Sequence, residues 1–357
     1  MKSTIGARYE ISSRVGSGGA GVLYLARDRS LDKTVAVKLL HPNLADRDMI
    51  VRLQQEARLL CQLQHPNLVS VSDFGLDGNS PYIVMEYIEG MSLSEFVKKF
   101  GPADLPVALK ILIDIASGLR YVHEHGVLHR DLKPSNVMLI LDKETQPVQA
   151  KIVDFGIAKP AESGSSQQSL TKSGAILGSP SYMPPEMAQG KEADARSDIY
   201  SFGCLMYFLL TAVPPFRGDT ITSTLLMQIN DDAPSLSQVR NDLSMPAEIQ
   251  AIVSRTLEKK PEKRFQNGAE LLEALQSAKA ELDRRASADR STRATASGAN
   301  DRDPLFFNHG QFASHPLLVD KRVLTLSIAL VISVIVCCAG IALRNIGTER
   351  RAVKEVS

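Results

Sequence analysis

The sequence contains no tryptophan, and phenylalanine and tyrosine make up an aromatic share of only 5%. A sizeable core must therefore be filled mainly by Leu, Ile, Val, Ala and Met. No sign of charge dominates, since 41 Lys and Arg stand against 40 Asp and Glu. That balance argues against an extended nucleic-acid surface. Cysteine is scarce, with four in 357 residues. Their spacing suggests neither a zinc site nor a disulfide framework, so a reducing compartment is expected. Cys61 and Cys204 lie in apolar runs and are expected to be buried as small hydrophobes. Cys337 and Cys338 are adjacent in an apolar stretch. The start, Met1-Lys2-Ser3-Thr4-Ile5-Gly6, lacks the apolar run of a secretory leader. No internal repeat is visible.

The pattern along the chain changes twice. Residues 9–86 read as strands and turns with one helix. Strands are predicted over 22–27, 35–40, 68–74 and 82–87, with a helix over 48–64 where Ile50, Leu53, Ala57, Leu60 and Leu63 recur at helical spacing. His65-Pro66-Asn67 stops that helix. From Ser92 onward the pattern is mostly helical, with long helices over 105–125 and 197–211 and a last one over 268–282. Residues 284–300, rich in Arg, Ser, Ala and Thr, read as a flexible linker.

Residues 323–343 carry no charge. At about 1.5 Å of rise per residue they span roughly 30 Å, the thickness of a bilayer core. The alternative of a buried core helix finds little support, because residues 344–357 are mostly polar. A single transmembrane helix is the expectation. Ala329, Ser333 and Cys337 recur every four residues, a spacing that allows two such helices to pack closely, although ordinary apolar composition explains it as well. Basic residues flank the span on both sides, Lys321 and Arg322 before it and Arg344, Arg350, Arg351 and Lys354 after it, so charge alone does not orient it.

The chemistry-bearing residues lie between these segments. In His129-Arg130-Asp131-Leu132-Lys133-Pro134-Ser135-Asn136, followed by Asp154-Phe155-Gly156, two carboxylates, an amide and a lysine stand at spacings suited to phosphoryl transfer from ATP. Val15 is followed by Gly16-Ser17-Gly18-Gly19-Ala20-Gly21 and then Val22. Glycines at Gly16, Gly18 and Gly21 let backbone N–H groups approach phosphates. A strand-like segment follows them where a dinucleotide fold needs a helix, which favours a flap over a nucleotide. Lys38 ends the apolar run Val35-Ala36-Val37 and needs an anionic partner, for which the nucleotide phosphates and Glu56 are candidates. Taken alone, Glu56 is an ordinary helix-surface carboxylate.

With these motifs in order, residues 9–283 resemble a eukaryotic-like (Hanks-type) Ser/Thr protein kinase domain, of the bacterial membrane-anchored branch. The resemblance implies an α+β, two-lobed protein kinase fold, with a small β-rich N-lobe (9–86) and a larger helical C-lobe (89–283). A juxtamembrane linker (284–322), the transmembrane helix (323–343) and a short tail (344–357) would follow. It implies Asp131 as catalytic base, Lys133 as the residue steadying the transferring phosphate, and Asn136 and Asp154 as Mg2+ ligands, with Mn2+ as an alternative. Lys38 would hold the ATP phosphates and pair with Glu56. Val15, Leu23, Ala36 and Met138 would wall the adenine, Met85 would be the gatekeeper, and the backbone of Glu86, Tyr87 and Ile88 would form the hinge. Leu60, Val71, His129 and Phe155 would stack as a spine linking the lobes. Asp198 would brace the catalytic loop, and Arg264 would pair with Glu186 as scaffold.

The resemblance further implies a Ser/Thr kinase acting on proteins, attached to a membrane with its kinase domain cytoplasmic, and with no nucleic-acid partner; a homodimer through the span is a further option. Two positions depart from the usual motifs. Pro184-Pro185-Glu186 stands where Ala-Pro-Glu is usual, and Gly178-Ser179 where Gly-Thr is usual. Ser179 keeps a hydroxyl within reach of Asp131 and Lys133. The segment between Asp154 and Glu186 carries Ser163, Ser165, Ser166, Ser169, Thr171 and Ser173. Phosphate on Thr171 or Ser173, which lie closest to the docking segment, could pair with Arg130. A pseudokinase scaffold and a small-molecule phosphotransferase are the competing readings. The intact set Lys38, Asp131, Asn136 and Asp154 disfavours the first, and the form of the catalytic loop disfavours the second.

Overall fold

A computed structural model describes residues 4–19, 21–41, 47–155, 179–240 and 245–297. In the N-terminal lobe, β1 (Thr4–Ile5), β2 (Tyr9–Gly18), β3 (Gly21–Asp28), β4 (Lys33–Leu40), β5 (Val71–Asp77) and β6 (Ser80–Glu86) form one sheet in the order β1-β2-β3-β4-β6-β5. Helix α1 (Arg47–Gln62) lies between β4 and β5 in the chain. Alternation along the strands gives the sheet two faces. Ile5, Tyr9, Ala26, Val35, Val37, Tyr82 and Val84 form a cluster on one face. Ala36, Ile83 and Met85 on the other face join Leu60 and Leu63 of α1 and the core of the helical lobe. Gly21 faces Leu40 across the β3–β4 ladder, and a Cβ there would fall on the Leu39 carbonyl, so this glycine is set by packing.

The second lobe contains β7 (Met91–Ser92), β8 (Val137–Leu141) and β9 (Pro147–Ile152) as a small antiparallel sheet. Around it stand α2 (Leu93–Phe100), α3 (Leu105–Glu124), α4 (Pro185–Ala188), α5 (Ala195–Thr211), α6 (Ile221–Asn230), α7 (Leu236–Val239), α8 (Ala247–Thr256) and α9 (Gly268–Ser297). Capping boxes start several of them, Ser92 with Glu95 on α2 and Asp194 with Ser197 on α5. Helix α5 is buried on nearly all sides, as its continuous apolar run requires. It closely approaches α8 at Gly203, where a Cβ would collide with Thr256.

One ion pair ties this lobe together. Arg264 is fully buried, and its guanidinium donates to Glu186 Oε1 at 2.8 Å and Oε2 at 2.9 Å. Its other N–H groups donate to the carbonyls of Glu258 (2.7 Å), Arg196 (2.9 Å) and Lys259 (3.0 Å). All five donors are thus used, which is the condition under which a buried charge is tolerated. Burial pushes the Glu186 carboxyl up, but Arg264 and the Ser197 hydroxyl outweigh it and hold it below the usual range.

Several expectations need correction. Cys204 is buried, but Cys61 is exposed, because it falls on the outward side of α1. The last helix does not stop at Leu282 but continues to Ser297, through the first part of the expected linker. Its Ala and Arg content favours helix, and Glu281 pairs with Arg285 one turn on at 2.7 Å. Strand β5 begins at Val71 rather than Leu68, whose stretch pairs instead with the other lobe as an isolated bridge to Ile152. The expected span 323–343 lies outside the described residues. Among those described, no helix is long and apolar enough to cross a membrane.

Replacing Arg264 with Met would leave Glu186 buried without its cation. An uncompensated buried charge costs about 3–5 kcal/mol. Urea unfolding should record a loss of that order for Arg264→Met; an unchanged midpoint would show that the pair contributes nothing to the lobe.

Candidate active site

The segment expected to be catalytic, residues 126–136, runs between α3 and β8, and its shape is set from beneath. Asp198 stands in the first turn of α5, where the helix dipole favours an anion. Its carboxylate accepts from the backbone N–H of His129 at 2.8 Å and of Arg130 at 2.9 Å. Burial pushes this carboxyl up, but these contacts and His123 carry it below the usual range. His123 Nδ1 accepts from the Gly268 N–H at 3.3 Å, so Nε2 carries the hydrogen given to Asp198 at 3.0 Å.

His129 is itself fully buried. Its Nδ1 accepts from the Asp131 N–H at 3.2 Å and its Nε2 donates to the Val153 carbonyl at 3.1 Å. Burial pushes its pKa down, matching the neutral form that this pattern needs. Its ring lies 4.9 Å from that of Phe155. Leu60, Val71 and Phe155 are buried in the same core cluster. Arg130 and Asp154 both adopt left-handed backbone, with φ of 61° and 56°. Such conformations in residues other than glycine cost about 1–3 kcal/mol each and concentrate at functional sites.

The polar groups converge around Asp131. Its Oδ2 accepts from Lys133 Nζ at 2.8 Å and from Asn136 Nδ2 at 3.1 Å. Asn136 Nδ2 also donates to the Asp131 carbonyl at 2.9 Å. The amide nitrogen therefore faces Asp131, and Oδ1 accepts from the Ser135 hydroxyl at 3.4 Å, with a lone pair to spare. Asp154 follows β9 and pairs through Oδ1 with Lys38 Nζ at 2.9 Å. Asn136 Oδ1 and the Asp154 carboxylate are hard oxygen donors. Mg2+ usually takes only one or two such groups from protein, completing its shell with water and phosphate, so the pair fits this ion.

The expected partnership of Lys38 and Glu56 is absent. Lys38 is taken by Asp154, and Glu56 instead meets Arg130 at 3.6 Å. Both members of that second pair are about one-third exposed, with side-chain values of 30% and 33%, so it is a contact of modest strength. Burial pushes the Glu56 carboxyl up, and Arg130 only partly offsets this.

The residues expected to face a nucleotide share one face of the large sheet. Lys38 lies opposite Leu23 on β3 and Ile83 on β6, and Ala36 lies opposite Met85. Gly16, Ser17 and Gly18 pair with Leu23, Val22 and Gly21 across the β2–β3 hairpin. A Cβ at Gly16, Gly18 or Gly19 would meet nothing within 4 Å, so that backbone lies open. Val15 is about half exposed at the rim. Met138 stands on β8, and Ile88 packs against the core just after β6. Ala20, Gly156 and the serines and threonine of 163–173 lie outside the described residues. Beside Asp131 a small pocket is lined by Lys133, Ser179, Tyr182, Met183 and Met187. Sequence reasoning missed His123, the Glu56–Arg130 contact and Lys151. Lys151 had one visible signal, a lone cation in the otherwise mostly apolar stretch 147–153.

Comparison with known proteins agrees with this arrangement. The family described as protein kinase domain matches residues 9–277. The serine/threonine-protein kinase PknB of Mycobacterium tuberculosis is 39% identical over 275 residues, covering 75% of this chain and 42% of PknB. A probable serine/threonine-protein kinase of Clostridium acetobutylicum is 37% identical over 273 residues, covering 76% of this chain and 40% of that protein. The chain thus matches less than half the length of these relatives. Among solved structures, the M. tuberculosis PknI kinase domain superposes with a TM-score of 0.60 at 28% identity, covering 78% of this chain and 98% of that kinase domain. Rad53 1-466 in complex with AMP-PNP gives 0.62 at 28% identity, covering 74% of this chain and 64% of that one.

The neutral His129 makes stability depend on pH. Unfolded, it titrates near the ordinary 6.5, and folded, below that. Below 6.5 the unfolded chain therefore binds more protons, and stability falls as the pH drops from there toward the folded value. Urea unfolding at pH 7.5 and 5.5 should show this loss in the wild type and a smaller one in His129→Phe. Equal losses would remove His129 as the source.

Proposed function

The chain belongs to the protein kinases, as a Hanks-type member of the bacterial serine/threonine branch, and we propose that it phosphorylates Ser and Thr hydroxyls of proteins with ATP. The observation that carries this reading is the cluster of Lys133 and Asn136 on the Asp131 carboxylate at 2.8 and 3.1 Å. A carboxylate so held is aimed, and remains able to take a proton. The substrate hydroxyl oxygen attacks the γ-phosphorus, the bond from that phosphorus to the ADP oxygen breaks, and the hydroxyl proton passes to Asp131. The Lys133 ammonium offsets the charge of the transferring group. Bound between Asn136 and Asp154, Mg2+ (or Mn2+) would supply charge neutralisation at the phosphates. The open backbone of Gly16–Gly19 offers N–H groups to the phosphates, and Ala36, Leu23 and Met138 offer apolar walls to the base.

Autophosphorylation of the segment 163–173 belongs to the same proposal. Arg130 is engaged by Glu56 in this arrangement. A phosphate carries up to two charges and three strong acceptors, so it competes well with one carboxylate for a guanidinium. Its arrival on Thr171 or Ser173 would release Glu56 toward Lys38, and Lys38 from Asp154. The uncharged run 323–343 supports attachment to a membrane, with the kinase domain on the cytosolic side where ATP is available.

Radiolabelled ATP tests the reading. Asp131→Asn should lose about 10²–10⁴-fold in transfer to protein substrates while keeping ATP binding. Wild type alone should gain phosphate within 163–173. Transfer that survives in Asp131→Asn, or that prefers small alcohols, contradicts a protein kinase using this base. Deleting 323–343 should move the protein from the carbonate-resistant membrane fraction to the soluble one; a wild type extracted by carbonate would argue against the span.

A further inference from the structure

One polar junction of the molecule is used neither by the chemistry nor by the scaffold pair. Lys151 lies on β9, three residues before Asp154, with its side chain only 14% exposed. Its Nζ donates to Glu86 Oε1 at 2.7 Å. That same oxygen accepts from the backbone N–H of Ser70 at 2.9 Å, and the Glu86 N–H returns a bond to the Ser70 carbonyl at 2.9 Å. Three segments meet here: the end of β6, the connection that follows α1, and β9.

The surroundings give the junction its meaning. Lys151 stands directly opposite Met138 in the β8–β9 ladder. Opposed residues of an antiparallel pair project to the same face. The cation therefore rises beside the side chain that would underlie the adenine. Glu86 stands opposite Val35, one position from the Ala36–Met85 pair on the other side of the slot. The connection after α1 is fixed to β9 independently: Val69 N–H donates to the Ile152 carbonyl at 2.9 Å, Ile152 N–H to the Asn67 carbonyl at 2.8 Å, and Asn67 Nδ2 to the Ala150 carbonyl at 2.9 Å. β9 itself is held from α3, where Asp114 accepts from the Ala150 N–H at 2.8 Å. Lys151 thus sits on a rigid base, and its charge reaches the one residue of β6 whose peptide begins the hinge.

We propose that Lys151 is a positioning residue for the nucleotide base. By holding the Glu86 carboxylate it fixes both the separation of Met138 from Ala36 and the orientation of the hinge peptide that follows Met85. The inference rests on the kinase reading for the identity of the ligand. It concerns binding of the base and not transfer. Loss of the cation leaves Glu86 with the Ser70 N–H alone and frees the hinge to shift against the floor. Binding of adenosine and ATP should weaken together, because the phosphates contact other residues. Groups held this way contribute differences of about three- to tenfold in an equilibrium constant.

The test is equilibrium titration of the full chain in detergent with ATP and, separately, with adenosine, a readout that requires no transfer. Lys151→Met is expected to raise both dissociation constants about three- to tenfold, with the KM for ATP rising in step and kcat little changed. Lys151→Arg, which keeps the cation, should bind as wild type. The charge-inverted pair Glu86→Lys with Lys151→Glu should recover part of the loss. If Lys151→Met melts lower but binds adenosine as wild type does, the role is structural only and the proposal fails. It fails equally if ATP weakens and adenosine does not, or if Lys151→Arg is as weak as Lys151→Met. Weaker adenosine binding in Lys151→Met supports it even where wild type transfers no phosphate, an outcome that would count against the kinase reading alone.

Discussion

The Asp198 carboxylate, buried at the start of α5, is the contact on which the active site depends. A carboxylate removed from water must be met by donors, and here two of them are consecutive backbone N–H groups of the catalytic segment. Satisfying Asp198 therefore dictates the path of His129 and Arg130, including the left-handed turn at Arg130. That turn delivers Asp131 to Lys133 and Asn136. Helix α5 can play this part because it is buried along nearly its whole length and has little room to move. The Glu186–Arg264 pair secures the neighbouring segment to the same helix through Ser197. Chemistry at the surface of the cleft is thus referred back to charges satisfied in the interior.

Two lysines mark the difference between a rigid and an exchangeable contact. Lys151 and Glu86 are well shielded and share their oxygen with a backbone N–H. Lys38 with Asp154, and Arg130 with Glu56, are more exposed. An arrangement in which Lys38 and Glu56 each hold someone else's partner is consistent with a site that rearranges when a nucleotide or a phosphate arrives. The energetic requirement is small, since exposed pairs of this kind differ by about 1 kcal/mol or less.

Much of the active site was legible in the order of residues, and for a physical reason. Asp131, Lys133 and Asn136 lie within six residues, so their proximity is set by covalent spacing even though Asp198 sets the path of the loop. The glycines of the β2–β3 hairpin and the apolar alternation of β3, β4 and β6 are likewise local. The scaffold residues Asp198 and Arg264 were reached through resemblance and not through any local signal, since their partners lie 69 and 78 residues away. His123 and Lys151 left almost no trace, because a histidine in a helix and a lysine in a strand are each usually solvated.

The sequence by itself determined the reacting groups, the alternation that makes a two-faced sheet, and the apolar run that makes α5 a buried axis. These follow from covalent spacing and from the period of helix and strand. Tertiary structure decided which charge meets which. Glu56 was expected on Lys38 and is found on Arg130, Cys61 turned outward, and the last helix ran on to Ser297. Ion pairing is settled by distances of a few ångström between elements far apart in the chain. No one-dimensional pattern encodes those distances until the packing of the core has fixed them.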